Sequence, residues 1–259
     1  MENAFDSGYY TLKDASWLEN QKVAGKVLKD TISLIGENLK PGKSTKEIND
    51  LAETFINSFN GCSPTFKNYN GFPAGICISI NRSLVHGIPS ENIIIKDGDI
   101  IKIDSGVTYK KAIADMARTF IVGESSERNK LLVTTCKEAL DNSLNFLNEN
   151  IGTARIGDIG YIINKTAKKI GANVIIDLTG HSLEEDTPHW FPFIFNNGEK
   201  NKGIKIRPGM TLCIEPMLTY GSPKIYLQDD HWTINLEEMG AHEEDTIFVH
   251  ERNIEIITR

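Results

Sequence analysis

The sequence predicts an α+β fold made of two similar halves. Residues 96–104 and 207–215 share one pattern: a basic residue, a turn residue, Gly, and a strand that ends in Ile and a carboxylate. In each half, segments of helical periodicity come before clustered β-rich stretches, which favours α+β over an alternating βαβ order. A duplicated fold has a pseudo-twofold axis, so the matched residues Asp104 and Glu215 are expected at one central site.

The helices are predicted from periodicity and from loop chemistry. Residues 27–61 indicate a helix, a loop and a second helix, because Pro41 and Gly42 interrupt the pattern and Ser44 or Thr45 is a suitable N-cap. The second pair of helices is predicted at roughly 130–148 and 156–170.

The β-rich stretches 100–107 and 112–122 flank residues 108–111 and predict a hairpin. We expect Asp104 and Asp115 directly opposite each other in it, with Cβ atoms roughly 4.5–5.5 Å apart. Two carboxylates that close are destabilising unless a proton, a cationic side chain or a metal neutralises them. Because Asp104 lies in an apolar stretch, a metal is the natural solution. A register slip, or a surface hairpin near Arg118, are the alternatives.

The second half supplies three further candidate donors. His181 follows Gly180, Glu215 ends the repeated motif, and Glu244 stands at the entry to the last strand. Each alone has an ordinary structural explanation. Together, four carboxylates and one imidazole are typical of a site for Mn²⁺, Fe²⁺, Co²⁺ or Zn²⁺.

Composition excludes several classes of protein. Hydrophobic residues make up 40% and charged residues 24% of the 259 residues, the net charge is −7, and no basic run suggests nucleic-acid binding. No signal peptide and no apolar run of about 18 residues is present, so no membrane segment is predicted. The four cysteines form no CxxC pair, and we expect reduced thiols in a cytoplasmic protein. We predict one catalytic domain over residues 1–259, with an extension at 1–16 and pseudo-repeats at 17–125 and 126–259.

The chain resembles the type I methionine aminopeptidases from about Trp17 to Arg259. The matching segments are 70–81, 85–89, 97–104, 114–120, 180–182, 211–217 and 244–247. The resemblance implies the pita-bread fold, in which helices cover a curved antiparallel sheet. It also implies hydrolysis of the N-terminal methionine peptide bond of newly made proteins with a small second residue, by a hydroxide that bridges two divalent ions (Co, Mn, Fe or Zn). A monomer that acts on nascent chains is expected, with the ribosome as a candidate partner.

The resemblance also implies roles for individual residues. Asp104 chelates one metal, Asp115 and Glu244 bridge both, and His181 and Glu215 complete the coordination of the second ion, with Glu215 also the general base. His86 hydrogen-bonds to the scissile amide and His189 contacts the substrate carbonyl. The methionine pocket is implied at Tyr69, Phe72, Cys77 and Trp232.

The sequence departs from the type I pattern at three places. The glycines after the metal histidine are absent, and His189 lies eight residues after His181 instead of seven, as in type II enzymes. The acidic run 184–186 is either a solvated loop or a feature that favours basic substrates. His242 stands where the family usually has Gln, two residues before the final ligand.

Two other functions compete with this interpretation. An aminopeptidase P or prolidase usually carries a large N-terminal domain, for which about 16 residues before the helices leave no room. A non-catalytic peptide-binding protein on the same fold would have lost metal ligands, whereas this sequence retains all five.

Overall fold

The computed structural model describes residues 10–259. The helices are α1 (Ala15–Asn38), α2 (Thr45–Asn57), α3 (Glu127–Glu149) and α4 (Ile156–Lys168), with a 3-10 turn at Tyr69–Gly71. The strands are β1 (Cys62–Pro64), β2 (Ile76–Ile80), β3 (Ser83–Val85), β4 (Ile100–Tyr109), β5 (Ala112–Ile121), β6 (Asn173–Val174), β7 (Thr179–Glu184), β8 (Thr187–Phe195), β9 (Thr211–Ile214), β10 (Met217–Thr219), β11 (Tyr226–Leu227), β12 (Ile234–Asn235), β13 (Gly240–His242), β14 (Glu244–Val249) and β15 (Ile254–Ile256).

The helix boundaries follow from side chains that satisfy the first backbone amides. Asp14 accepts a hydrogen bond from the Trp17 amide at 2.8 Å and starts α1 earlier than the predicted residue 27. Ser44 and Glu47 form a reciprocal capping box on α2. Both predicted helix pairs are therefore confirmed, with α1 longer at its N-terminal end.

The main sheet has nine antiparallel strands in the order β1-β4-β5-β14-β9-β7-β8, while β2 pairs with β4 and β15 pairs with β14. The central pair is β5 and β14, and the strands beside it are β4 and β9. Strand β4, which carries Asp104, and strand β9, which leads to Glu215, thus lie at matching positions on the two sides of the central pair. This arrangement confirms the α+β fold with duplicated halves.

Each half has its own core between helices and sheet. In the first half α1 packs on β4 and β5, and α2 packs on α1, β1 and β2, with Leu28, Ile48 and Ile103 buried in one cluster. In the second half α3 packs on β10 and β13 and α4 on β6 and β8, and Leu140 and Leu212 are fully buried in one cluster. Since the helices occupy one face of the sheet, the polar side chains of the other face are free to meet.

The register predicted for the β4–β5 hairpin was wrong. Asp104 pairs with Ala117, and Asp115 pairs with Gly106. The turn consists of Lys110 and Lys111 alone, both in the left-handed region with φ of 46° and 71°, as a two-residue type I′ hairpin requires. Because the error is two residues, both carboxylates still lie on the same face as diagonal neighbours.

Candidate metal centre

The site is formed by five strands that are consecutive in the sheet. Asp104 lies on β4, Asp115 on β5, Glu244 at the start of β14, Glu215 directly after β9, and His181 on β7. All five side chains line one cavity of 210 Å³, together with His86 and His189. The pairing of distant strands therefore brings together residues that are up to 140 positions apart in the sequence.

The carboxylates of this cavity are buried with few donors. Asp104 Oδ1 and Glu244 Oε1 are buried without a hydrogen-bond partner among residues 10–259. Burial raises the pKa of Asp104 to about 6. Burial, and then repulsion by the neighbouring carboxylates, raises the pKa of Asp115, Glu215 and Glu244 well above the usual range. A cation in this cavity would satisfy the unpaired oxygens and remove the repulsion.

The imidazole of His181 is oriented toward the same space. Its Nδ1 lies 3.2 Å from the carbonyl oxygen of Ser182, to which it donates. Burial lowers the pKa of His181 well below its usual value, so the ring is neutral and Nε2 carries a lone pair. That nitrogen lies 3.4 Å from Glu215 Oε1 and 3.9 Å from Glu244 Oε1. A lone pair facing two carboxylates is repulsive unless a cation lies between them, so the donor set fits a divalent metal.

A second cavity of 230 Å³ adjoins the first, and the two share His86, Asp104 and His189 as lining residues. The Phe72 and Trp232 rings meet edge to face with centroids 5.2 Å apart. The other predicted pocket residues, Tyr69 and Cys77, also line this cavity. An apolar pocket with a thiol in its wall suits an unbranched thioether side chain.

Two histidines stand where the cavities join. Desolvation lowers the pKa of the half-buried His86 to about 4, so this ring is neutral at neutral pH. His189 is exposed, and the atoms that crowd its ring lower its pKa in the same direction. His86 has a left-handed backbone with φ of 57°, and the next amide, of Gly87, donates to Ser79 Oγ at 3.0 Å. The ring of His189 meets His181 edge to face at 4.6 Å. All eleven predicted site residues thus line the two cavities, and their individual roles stay predictions.

Three nearby residues were not predicted. Phe66 lines the apolar cavity and stacks on His189 with ring centroids 6.2 Å apart. Cys213 places its sulfur within 4.8 Å of donor atoms of Asp115, His181 and Glu244. The sequence marks His242 only as a replacement for Gln, and its Nε2 lies 3.1 Å from Glu215 Oε2. Phe66 and Cys213 gave no signal in the sequence, since apolar residues and single thiols are common in cores.

The acidic run 184–186 lies outside the lining of both cavities. Glu184 accepts hydrogen bonds from the amide and hydroxyl of Thr11, both at 2.7 Å, and forms an ion pair with Lys13. Glu185 pairs with Lys111 at 3.0 Å. Glu184 therefore anchors the segment before α1, while Glu185 and Asp186 are exposed to solvent. An effect of the run on substrate preference stays a prediction.

Comparison with known proteins agrees with this geometry. The model of metallopeptidase family M24 matches residues 19–251. A methionine aminopeptidase of Mycoplasma capricolum is 38% identical over 256 residues, which cover 96% of this chain and 98% of that protein. The chain belongs to the methionine aminopeptidases of family M24. The family, the pita-bread fold and the metallopeptidase class predicted from the sequence are thereby confirmed.

Solved structures of the family have the same architecture. The methionine aminopeptidase of Thermotoga maritima superposes with a TM-score of 0.92 at 33% identity, over 96% of this chain and 99% of that one. A prolidase from Pyrococcus furiosus reaches a TM-score of 0.75 at 21% identity, over 65% of its own length, which is a likeness of fold alone. Among residues 10–259, the helices include none with the length and apolar character needed to span a bilayer.

Proposed function

We propose that this chain hydrolyses the first peptide bond of proteins that begin with methionine and a small second residue. The observation that carries the proposal is that two cavities of different chemical character adjoin each other. One has three buried carboxylates, the nearly buried Glu215 and an imidazole, the other is apolar and holds a thiol, and both are lined by His86 and His189. A substrate that bridges them places its side chain in one and its terminal amine and scissile bond in the other.

The acidic cavity would hold two divalent cations. Asp104 would bind one, Asp115 and Glu244 would be shared, and His181 and Glu215 would bind the second. When bound, such a pair supplies Lewis-acid chemistry: it polarises a carbonyl and lowers the pKa of a water molecule. Co, Mn, Fe and Zn all suit this donor set of oxygens and one imidazole.

The side chains of the chain itself perform the remaining work. Glu215 Oε1 faces the cavity beside His181 and is placed to accept the proton of the attacking water. His86 and His189 are neutral, so each can donate one hydrogen bond from a ring N–H, to the scissile amide and the substrate carbonyl respectively. Positioned donors of this kind stabilise charge that develops on the substrate as the bond breaks.

The acidic cavity also explains why a terminal residue would be selected. Buried carboxylates create a negative potential that attracts the positively charged α-amine of a polypeptide. Only the first residue of a chain has that amine next to its side chain. Newly made polypeptides are therefore the proposed substrates, the cytoplasm the proposed location, and the ribosome the proposed site of encounter.

The test compares Asp115→Asn with wild type on the peptide Met-Ala-Ser, with Mn²⁺, Fe²⁺, Co²⁺ or Zn²⁺ added to chelated protein. We expect the variant to lose at least about 100-fold in kcat/KM, since even outer partners of metal ligands cost 10–100-fold. Asp50→Asn is the control and should keep the wild-type kcat/KM, because Asp50 is exposed on α2 and lines neither cavity. Elemental analysis should find two ions per wild-type chain.

Three outcomes would contradict the proposal. Equal activity of Asp115→Asn and wild type would remove the metal role of that residue. Release of the first residue from Xaa-Pro peptides but not from Met-Ala-Ser would indicate a prolidase-like specificity. Fewer than one bound ion, with peptide binding retained, would indicate a non-catalytic protein.

A further inference from the structure

The carboxylate of Glu215 lies between two imidazoles. Its Oε1 is 3.4 Å from His181 Nε2, on the side of the cavity, and its Oε2 is 3.1 Å from His242 Nε2. His242 is only 1% exposed and belongs to the lining of neither cavity described above. It therefore contacts Glu215 outside the lining of both cavities, and its donor atom lies within 4.8 Å of donor atoms of Glu215 and Glu244.

The contact has a defined donor. With Glu215 ionised, as a metal ligand is, its carboxylate can only accept hydrogen bonds, and the 3.1 Å contact then places the proton on Nε2 of His242. The other nitrogen, Nδ1, then carries a lone pair and is buried without a partner among the described residues. The alternative tautomer would oppose a lone pair to Glu215 and leave an unpaired buried N–H as well, so it is disfavoured.

The backbone of His242 is tied on both sides. Its amide donates to Thr119 Oγ1 at 2.9 Å, and the same hydroxyl donates to its carbonyl oxygen at 2.7 Å. In a separate three-stranded sheet of order β13-β10-β6, His242 pairs with Met217, two residues after Glu215. Because Thr119 and the neighbouring strand hold the backbone of His242, its imidazole N–H approaches Glu215 from one fixed position.

We propose that His242 is a positioning residue that holds Oε2 of Glu215, so that Oε1 stays directed at the cavity beside His181. The inference rests on the proposed function of Glu215 as ligand and proton acceptor. A free carboxylate would rotate among several orientations, and its affinity for a cation would fall by the cost of fixing one of them. The family usually has Gln at this position, and an amide N–H can make the same bond, so His242→Gln is the conservative variant.

The experiment uses the full chain, freed of metal by a chelator, in three variants: His242→Ala, His242→Leu and His242→Gln. Calorimetric titration with Mn²⁺ measures cation affinity, and turnover of Met-Ala-Ser gives kcat and KM separately. We expect the Ala and Leu variants to bind the first, more tightly held Mn²⁺ ion about 10–100-fold more weakly than wild type. Their kcat should fall by a larger factor than their KM rises. His242→Gln should restore both to within about threefold of wild type.

A matched control is available elsewhere in the chain. His250 Nε2 lies 2.9 Å from Glu255 Oε2 in a half-buried pair that lines neither cavity, so His250→Gln should leave Mn²⁺ affinity and kcat unchanged. Thermal unfolding of the chelated proteins shows whether each variant is folded, and the Leu variant fills the space of the ring without supplying a donor.

Each result is decisive. Ala and Leu variants that bind Mn²⁺ and turn over like wild type would overturn the inference while leaving the proposed function intact. Losses in Ala and Leu that Gln does not restore would also overturn it, because the imidazole would then be a metal ligand itself. A wild type that binds no Mn²⁺ and releases no methionine would instead refute the proposed function.

Discussion

In protein freed of divalent cations, we expect the free energy of unfolding to fall as the pH rises from 4 to 6. The acidic cavity then holds four carboxylates with no counter-charge, and burial raises the pKa of Asp104 from 3.8 to about 6. Within this window the folded chain binds more protons than the unfolded chain, so the free energy of unfolding falls as the pH rises. The other three carboxylates, whose pKa values are also raised, act in the same direction.

The magnitude follows from the size of the shift. A difference of roughly two pK units corresponds to about 3 kcal/mol from Asp104 alone. In a domain of this size 1 kcal/mol moves the melting temperature by about 2–4 °C, so we expect a decrease of about 6–12 °C. Acidic residues paired on the surface, such as Glu255 with lowered pKa, act in the opposite direction, so a variant is needed to isolate the effect.

The variant is Asp104→Asn, which keeps the shape of the side chain and cannot ionise. Thermal unfolding is followed by circular dichroism in chelator at pH 4, 6 and 7.5. At pH 7.5 the variant should be more stable than wild type by up to about 3 kcal/mol, and at pH 4 the two should be equal. With saturating Mn²⁺ the order should reverse, because the cation binds the ionised carboxylate and stabilises the folded state. Parallel curves for the two chelated proteins would refute the reasoning.

Three further predictions concern the surroundings of the site. Trp232→Ala removes a wall of the apolar cavity and should raise the KM for Met-Ala-Ser about 10-fold with kcat nearly unchanged; an unchanged KM would place methionine elsewhere. Arg118→Leu should lower the free energy of unfolding, measured in urea, by about 3 kcal/mol. The reason is that the fully buried Asp245 loses a guanidinium partner at 2.6 Å. A change below about 1 kcal/mol would contradict this. Burial lowers the pKa of Lys102 to about 7, so wild-type stability should rise between pH 7 and 10, and Lys102→Met should abolish that rise.

Much of the site could be predicted because its chemistry is carried by residue types. Carboxylates at the ends of apolar strands, such as Asp104 and Glu215, are costly to bury, so their presence in the repeated motif already indicated a cation. The same repeat predicted the two halves, and both are observed on either side of the β5–β14 pair. The boundaries of the pseudo-repeats stay a prediction.

The hairpin register could not be read from residue types. It depends on whether Lys110 and Lys111 accept a left-handed backbone, which lysine rarely does, so a centre one residue earlier was equally acceptable. The prediction that Asp104 and Asp115 share a face is nevertheless correct, because side chains alternate between faces with a period of two and the predicted register was wrong by two residues.

The sequence by itself determined the two-halved fold, the donor types and the order in which they occur along the chain, because periodicity and the cost of burying charge are local properties. The tertiary structure alone decided which atoms meet. That His242 lies behind Glu215, that Phe66 stacks on His189 and that Glu184 anchors the segment at Thr11 all result from pairings between distant strands and loops. Such contacts depend on the register and twist of the whole sheet, and no short stretch of sequence contains that information.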